Sequence, residues 1–224
     1  MEFFVLVAVL CAAFFLVRVY CVLPERLFGS GQSKRSRQCP VKMMVVLGSG
    51  GHTSEMLGFL TKISVMKYSP LVFVAGASDV FSESRLRKWE KEHIKSSKTA
   101  PLVYISRARE VGQSWVSTLF TFSKAMLDSL VVVFRERPEI IACDGPGTCL
   151  PICFAGFLLR VFGIVNTKIV FVESFARVKS LSLTGWVLLF LADRFVVQWQ
   201  SLLEKKVLGK PLSAWGAQYI GNIL

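Results

Sequence analysis

The sequence of 224 residues holds two histidines and no Cys-x-x-Cys pair, so it offers no zinc-ligand spacing. No Asp-x-Asp pair occurs either, which leaves a carboxylate-held Mg²⁺ or Mn²⁺ for a nucleotide-sugar without an obvious seat. The expectation is chemistry without metal or cofactor. Acid is scarce: 15 Asp and Glu stand against 27 Lys and Arg, for a net charge of +12 and a pI near 9.7. Charge of that sign points to nucleic acid or to an anionic membrane surface. A nucleic-acid binder would interleave basic clusters with exposed aromatics, whereas here 53% of residues are hydrophobic and mean hydropathy is +0.51. These values exclude disorder and low complexity, favour a membrane, and leave no expectation of a nucleic-acid partner. No internal repeat is visible, so solenoids are set aside. The cysteines, Cys11, Cys21, Cys39, Cys143, Cys149 and Cys153, read as reduced thiols facing the cytosol rather than as a disulfide framework.

From Phe3 to Leu23 the chain is apolar with only Arg18 interrupting, long enough to cross about 30 Å of hydrocarbon at roughly 1.5 Å per residue. No basic stretch precedes it and no A-x-A-like cleavage site follows, so residues 1–23 read as an uncleaved anchor rather than a signal peptide. Arg18 near one end can snorkel to the headgroups. Arg18 near the far end of the apolar stretch and Arg26, Lys34, Arg35, Arg37 and Lys42 beyond it stand against Glu25, whereas only Glu2 and the amino terminus precede it. The positive-inside rule then places the main domain in the cytosol. Residues 24–40, rich in Gly, Ser, Lys and Arg over their second half, read as a basic juxtamembrane linker, and 41–224 as one domain.

Within that domain short runs rich in Val, Ile and Phe recur: Lys42–Leu47, Leu71–Ala75, Leu102–Ile105, Glu139–Cys143, Lys168–Val172 and Arg194–Gln198. Helix-like segments separate them. This alternation predicts an α/β fold, a Rossmann-like parallel sheet with helices on both faces, whose strands are apolar on both sides. Val80–Lys98, with charges of both signs, reads as a solvated helix and its exit loop. Cys149–Val165 and Leu181–Ala192 are nearly all apolar and read as buried core helices, with a face dipping into the membrane interface as the alternative. The apolar C-terminus from Leu212 to Leu224 is expected to dock, on its own sheet or on a partner.

In open parallel sheets the ligand crevice lies beyond the carboxyl ends of the strands. Gly48-Ser49-Gly50-Gly51-His52-Thr53-Ser54-Glu55 follows the first strand and opens a helix, with Thr53 or Ser54 as the candidate N-cap. Glycines there let backbone N–H groups approach an anion, which makes a phosphate or diphosphate the natural guest. The dinucleotide fingerprint would need glycine where Thr53 stands, and a P-loop would need a Gly-Lys-Ser/Thr ending that is absent. His52 at the loop tip either accepts a proton from an attacking hydroxyl or merely hydrogen-bonds the loop. Asp144-Gly145-Pro146-Gly147-Thr148 is a second strand-to-helix turn, either a turn alone or a ligand cradle, with Thr148 as candidate cap. Glu173, after the strand KIVFV, is either a partner for His52, a binder of ligand hydroxyls, or a structural pair with Arg177.

VVLGSGGHTSEML (Val45–Leu57), DGPGTCLPICF (Asp144–Phe154), VESFARVKSLSLTG (Val172–Gly185) and ADRFVVQW (Ala192–Trp199), behind an N-terminal anchor, resemble the membrane-anchor subunits of the UDP-N-acetylglucosamine transferase of dolichol-linked oligosaccharide assembly. The resemblance implies half of a split GT-B glycosyltransferase. This chain would supply the acceptor-side Rossmann-like half, and a separate cytosolic subunit would bind UDP-GlcNAc. The implied reaction adds the second GlcNAc, with inversion, to GlcNAc-diphosphate-dolichol at the endoplasmic reticulum membrane, with a single span, a lumenal amino terminus and a cytosolic main domain. The Gly48–His52 loop also resembles that of the bacterial lipid-linked GlcNAc transferase of peptidoglycan synthesis. By that likeness His52 and Glu173 would be catalytic, and Gly48, Ser49, Gly50, Gly51, Thr53, Gly145, Gly147 and Thr148 would line the acceptor's diphosphate. Asp144 departs from the Asn expected in many relatives, and a carboxylate beside a diphosphate would repel it. The competing readings are a membrane-tethered nucleotide-dependent oxidoreductase and a membrane scaffold with a degenerate fold.

Overall fold

A computed structural model describes residues 2–28, 40–94, 99–109, 112–145 and 147–221. Six β-strands alternate with helices as the apolar runs predict: β1 (Met43–Val46), α2 (Gly51–Lys62), β2 (Leu71–Gly76), α3 (Ser82–His93), β3 (Leu102–Ile105), α4 (Trp115–Glu136), β4 (Ile140–Asp144), α5 (Cys149–Val161), β5 (Lys168–Val172), α6 (Leu183–Leu188) and β6 (Arg194–Val197), all behind α1 (Glu2–Val22). The hairpin β7 (Lys206–Val207) and β8 (Lys210–Pro211) follows, and then β9 (Ala217–Tyr219) joins the edge of the main sheet. The C-terminal segment therefore docks on its own sheet, with Ala217–Tyr219 in parallel register with Phe195–Val197. Residues 222–224 of that expectation lie outside the described residues.

The sheet runs β3-β2-β1-β4-β5-β6-β9, and every pairing in it is parallel. Strand alternation sends Met43, Val45 and Leu47 to one face, where α2 and α3 cover them through Met56, Leu57, Leu60, Leu86 and Trp89. Met44 and Val46 face the other way, against Val132 and Val133 of α4, Ile152, Cys153 and Leu159 of α5, and Leu188 of α6. Two-sided burial explains why these strands carry no polar alternation. From β1 the chain winds outward through β2 and β3, then returns to β4 on the other side of β1. The topological switch point therefore lies between β1 and β4, and the two glycine-rich loops leave the sheet there side by side.

Several expectations are corrected. The segments 149–165 and 181–192 shorten to α5 and α6. Most of α5 is buried in the core, and α6 keeps Thr184, Gly185 and Leu188 inside. The helix in 80–98 is not wholly solvated, since Leu86 and Trp89 are core residues and Glu90 is buried, accepting from the Ala100 N–H and from Arg87. Residues 95–98 of that segment lie outside the described residues. Within the α/β domain, α4 leaves an apolar face exposed: Ala125, Ser129, Val132 and Val133 pack inward, while Val116, Leu119, Phe120, Leu127, Val131 and Phe134 face out.

By length and composition α1 and the Val116–Glu136 stretch could each cross a membrane, and α1 buries none of its side chains. The second of these stretches has its inner face committed to the core. The expected juxtamembrane linker begins as docked chain. Pro24 and Arg26 are buried, and the Arg26 guanidinium donates to the carbonyls of Ala192 (2.7 Å), Leu189 and Trp215. Arg18 donates to the Val161 and Arg160 carbonyls, and Arg160 donates in turn to the Val22 carbonyl at 2.8 Å. Arginines thus cap the carboxyl ends of α1 and α5 against each other. Residues 29–39 of the linker, with Cys39, lie outside the described residues. Cys143, Cys149 and Cys153 are buried free thiols.

Candidate functional site

The loop after β1 is shaped by Gly50, whose φ of +68° and ψ of −125° lie in a region that side chains do not favour. Gly50, and neither Thr53 nor Ser54, precedes the helix, and no side chain caps it. Space around the Cα hydrogens of Gly50 and Gly51 is open for 4 Å. The amino end of α2, with its first N–H groups and its partial positive charge, therefore opens onto an uncrowded, exposed loop. Thr53 is buried and turns inward, its hydroxyl bonding the Gly48 carbonyl and Ser82, which is held in turn by the Asp79 carboxylate. Arg85 of α3 donates to the Gly50 carbonyl. Thr53 and Gly48 thus hold the loop from within, while Ser49, Gly50 and Gly51 are exposed on its outer side.

The second loop comes alongside. Gly145 takes φ +57°, and a Cβ there would stand 2.6 Å from Cε1 of His52. Gly147 has open space around it, Thr148 precedes α5 without a side-chain cap bond, and Pro146 lies outside the described residues. His52, in the first turn of α2, is half-buried, with Nδ1 3.5 Å from Oδ2 of Asp144. That neighbour is the main cause raising the imidazole pKa above its usual value, with Glu55 and Glu173 adding smaller pushes. Asp144 ends β4 and is 1% exposed, and neither of its oxygens accepts a hydrogen bond. Burial lifts its pKa to about 7.

Glu173 is placed differently from the expected partner of His52. Its carboxylate accepts the N–H groups of Ser174 and Ser182 and the Ser182 hydroxyl, while Ser182 itself caps α6 through the Gly185 N–H. A Cβ on Gly185 would meet Glu173 Oε2 at 2.2 Å. Glu173 is fully buried, and burial is the largest influence raising its pKa. Arg177 is exposed and acts on it only through space. Its geometry is that of a residue holding the β5–α6 loop.

Sequence reasoning passed over Glu55. One turn along α2 from His52, it accepts the Ser174 hydroxyl (3.1 Å), the Phe175 N–H (2.9 Å) and the Gln198 amide (3.4 Å), which ties the helix to the β5–α6 loop. The i, i+3 spacing from His52 was the available signal. His52, Glu55 and Asp144 each bring one ligand atom within 4.8 Å of the others, the one such group among the described residues. Glu55 is already satisfied by its donors. What stands without a hydrogen-bond partner is His52 Nδ1 and the Asp144 carboxylate.

Residues 43–215 match the family described as oligosaccharide biosynthesis protein Alg14 like. The chain is 41% identical over 191 residues to the UDP-N-acetylglucosamine transferase subunit ALG14 of Yarrowia lipolytica, covering 85% of this chain and 88% of that one. It is 38% identical over 201 residues to the Homo sapiens protein of the same description, covering 87% and 88%. Among solved structures, Acinetobacter baumannii MurG superposes with a TM-score of 0.52 at 16% identity, over 81% of this chain and 45% of that one. The fold is thus one half of a GT-B architecture, and this chain spans less than half the length of that structure.

Proposed function

The chain belongs to the Alg14 family of oligosaccharide biosynthesis proteins, and from that premise we propose that it is the membrane-anchored, acceptor-binding half of a UDP-N-acetylglucosamine transferase. The observation that carries this reading is the open glycine cradle of Gly50 and Gly51 at the switch point of a single Rossmann-like unit, with His52 at its rim. The acceptor is a GlcNAc-diphosphate-lipid, dolichol-linked, and the product carries the second GlcNAc of the N-glycan precursor. Its diphosphate lies against the amino end of α2 and the Gly145–Thr148 turn, where N–H groups and the helix dipole favour negative charge. His52 takes the proton of the acceptor's 4-hydroxyl as that oxygen attacks the sugar of UDP-GlcNAc. Glu173 and Thr53 serve the site through the loops they hold. UDP-GlcNAc sits on a cytosolic partner subunit, which supplies the other half of the GT-B cleft.

Residues 1–23 anchor the chain in the endoplasmic reticulum membrane, with the amino terminus lumenal and residues 41–224 cytosolic, a placement supported by the excess of Lys and Arg after α1. The exposed apolar face of α4 lies on the side of the sheet where α1 meets α5, which supports setting that side against the bilayer. These comparisons fit a transferase subunit rather than a tethered oxidoreductase. Calorimetric titration of the detergent-solubilised chain tests the assignment. A short-chain lipid-diphosphate-GlcNAc is expected to bind, and to bind at least tenfold more weakly to Gly51→Glu, which puts a carboxylate in the cradle. Saturable binding of UDP-GlcNAc to this chain, with none of the lipid diphosphate, would overturn it.

A further inference from the structure

Asp144 is the residue whose surroundings are hardest to reconcile with a structural part. A buried carboxylate normally collects N–H or O–H donors, and its two buried neighbours do: Glu55 has Ser174, Phe175 and Gln198, and Glu173 has Ser174 and Ser182. Asp144 has none, and the atom in front of it is Nδ1 of His52, which has no hydrogen-bond partner either. Gly145 keeps the ring there, because any Cβ would collide with its Cε1 and Nδ1 edge. Asp144, the last residue of β4, directly precedes Gly145, whose Cβ position lies against the His52 ring.

Resting on the assignment of His52 as the base, we propose that Asp144 is its positioning residue: the carboxylate receives the Nδ1 proton and turns Nε2, with its lone pair, toward the acceptor hydroxyl. The acceptor O–H bond breaks as Nε2 takes the proton, the acceptor oxygen bonds the anomeric carbon of UDP-GlcNAc, and UDP leaves with the electron pair of the broken C–O bond. The imidazolium so formed faces a carboxylate, which stabilises it. The remaining charged groups around the ring are Glu55 on the same helix and Glu173 at the end of β5, with Arg177 acting on Glu173 from the surface and Arg85 of α3 at the loop mouth. Glu55 and Glu173 add negative potential at the ring, and both are occupied by other donors. Asp144 alone is free to take the Nδ1 proton. A carboxylate in this role faces the imidazole, where its charge attracts the imidazolium, and it does not contact the diphosphate.

The chain has two histidines, His52 and His93, so imidazole NMR on the ring-labelled full-length protein, assigned with His52→Gln, reads the proposal without catalysis. The expected result is the Nδ1–H tautomer for neutral His52 and a His52 titration at least tenfold more acidic in Asp144→Asn. With the partner subunit present, Asp144→Asn is expected to lower kcat by roughly 10²-fold, leave the acceptor KM within threefold, and move the acid limb of the kcat/KM profile to lower pH. A wild-type Nε2–H tautomer, or an unmoved His52 titration in Asp144→Asn, would overturn the proposal. So would saturable broadening of the His52 resonance by stoichiometric Mn²⁺, which would put a cation where the proton belongs. Should Asp144→Asn fail to fold, the wild-type tautomer and Asp144→Ser still decide. Full activity of His52→Gln would instead sink the base assignment itself, whatever Asp144 does.

Discussion

Gly145→Ala separates the site's geometry from its stability. The residue sits at φ +57°, where an L side chain costs roughly 1–2 kcal/mol. The new Cβ would lie 2.6 Å from His52 Cε1 and 2.9 Å from Nδ1. Restoring an ordinary contact of about 3.4 Å to Cε1 requires the ring to withdraw by about 0.8 Å, the difference between that distance and 2.6 Å. A half-buried side chain can make that move at little further cost, so the protein should fold and lose only about 1–2 kcal/mol in thermal unfolding. Catalysis should suffer far more, because misplacement of a reacting group by about 1 Å costs on the order of 10²-fold. The assay is steady-state transfer to a lipid-diphosphate-GlcNAc by the reconstituted complex, beside Gly147→Ala, whose Cβ would meet nothing within 4 Å. A folded Gly145→Ala complex with kcat/KM within threefold of wild type would refute the reasoning that this glycine sets the ring.

Glu55→Ala strips the acceptor from the Ser174 hydroxyl, the Phe175 N–H and the Gln198 amide and should cost about 3 kcal/mol in chemical unfolding, at 1–3 kcal/mol per stranded buried group; a loss below about 1 kcal/mol would contradict the tie it makes between α2 and the β5–α6 loop. Stability should also depend on pH. Asp144 rises from 3.8 to about 7 on folding, so its ionised form is penalised by about 4 kcal/mol, absent below about pH 4 and fully developed above about pH 7; the raised His52 value acts in the same sense, its stabilisation being complete below its unfolded value and lost as pH rises. Thermal stability is therefore expected to fall as pH rises from about 4 to about 7, with the His52 contribution lost above its unfolded value of 6.5, and Asp144→Asn to flatten that slope; an equal slope in both proteins would contradict it. For α4, a polarity-sensitive probe on Phe120→Cys in proteoliposomes should be shielded from aqueous quenchers, whereas one on Glu92→Cys of α3 should not; equal quenching would take the α4 face off the membrane.

What could be read in the sequence follows the physics of burial. The strand runs were legible because both faces of a parallel sheet are covered, so MMVVL and KIVFV advertise themselves without alternation. The Gly48–His52 loop was legible because backbone shape needs glycine. Side-chain partnerships were not, because they depend on which loops meet across the switch point. Asp144 and His52 are far apart in sequence and meet only in the fold, while Glu173, expected beside the histidine, spends its carboxylate on Ser174 and Ser182. Thr53, expected at a helix cap or on the ligand, is drawn inward by Gly48 and Ser82. Register and edge also decide β9, a three-residue strand too short to be read from composition. The docked start of residues 24–28 was hidden for the same reason, since only the fold supplies the three carbonyls that Arg26 meets.

On the proposed function, this chain is one half of a transferase and supplies the acceptor side of its cleft. The most direct test is the initial rate of transfer of labelled GlcNAc from UDP-GlcNAc to a lipid-diphosphate-GlcNAc in proteoliposomes, measured with the purified chain alone and again after adding the cytosolic UDP-GlcNAc-binding subunit. No transfer above background is expected from the chain alone and robust transfer from the pair, abolished by His52→Ala. Turnover by the isolated chain, or a pair indifferent to His52→Ala, would contradict it.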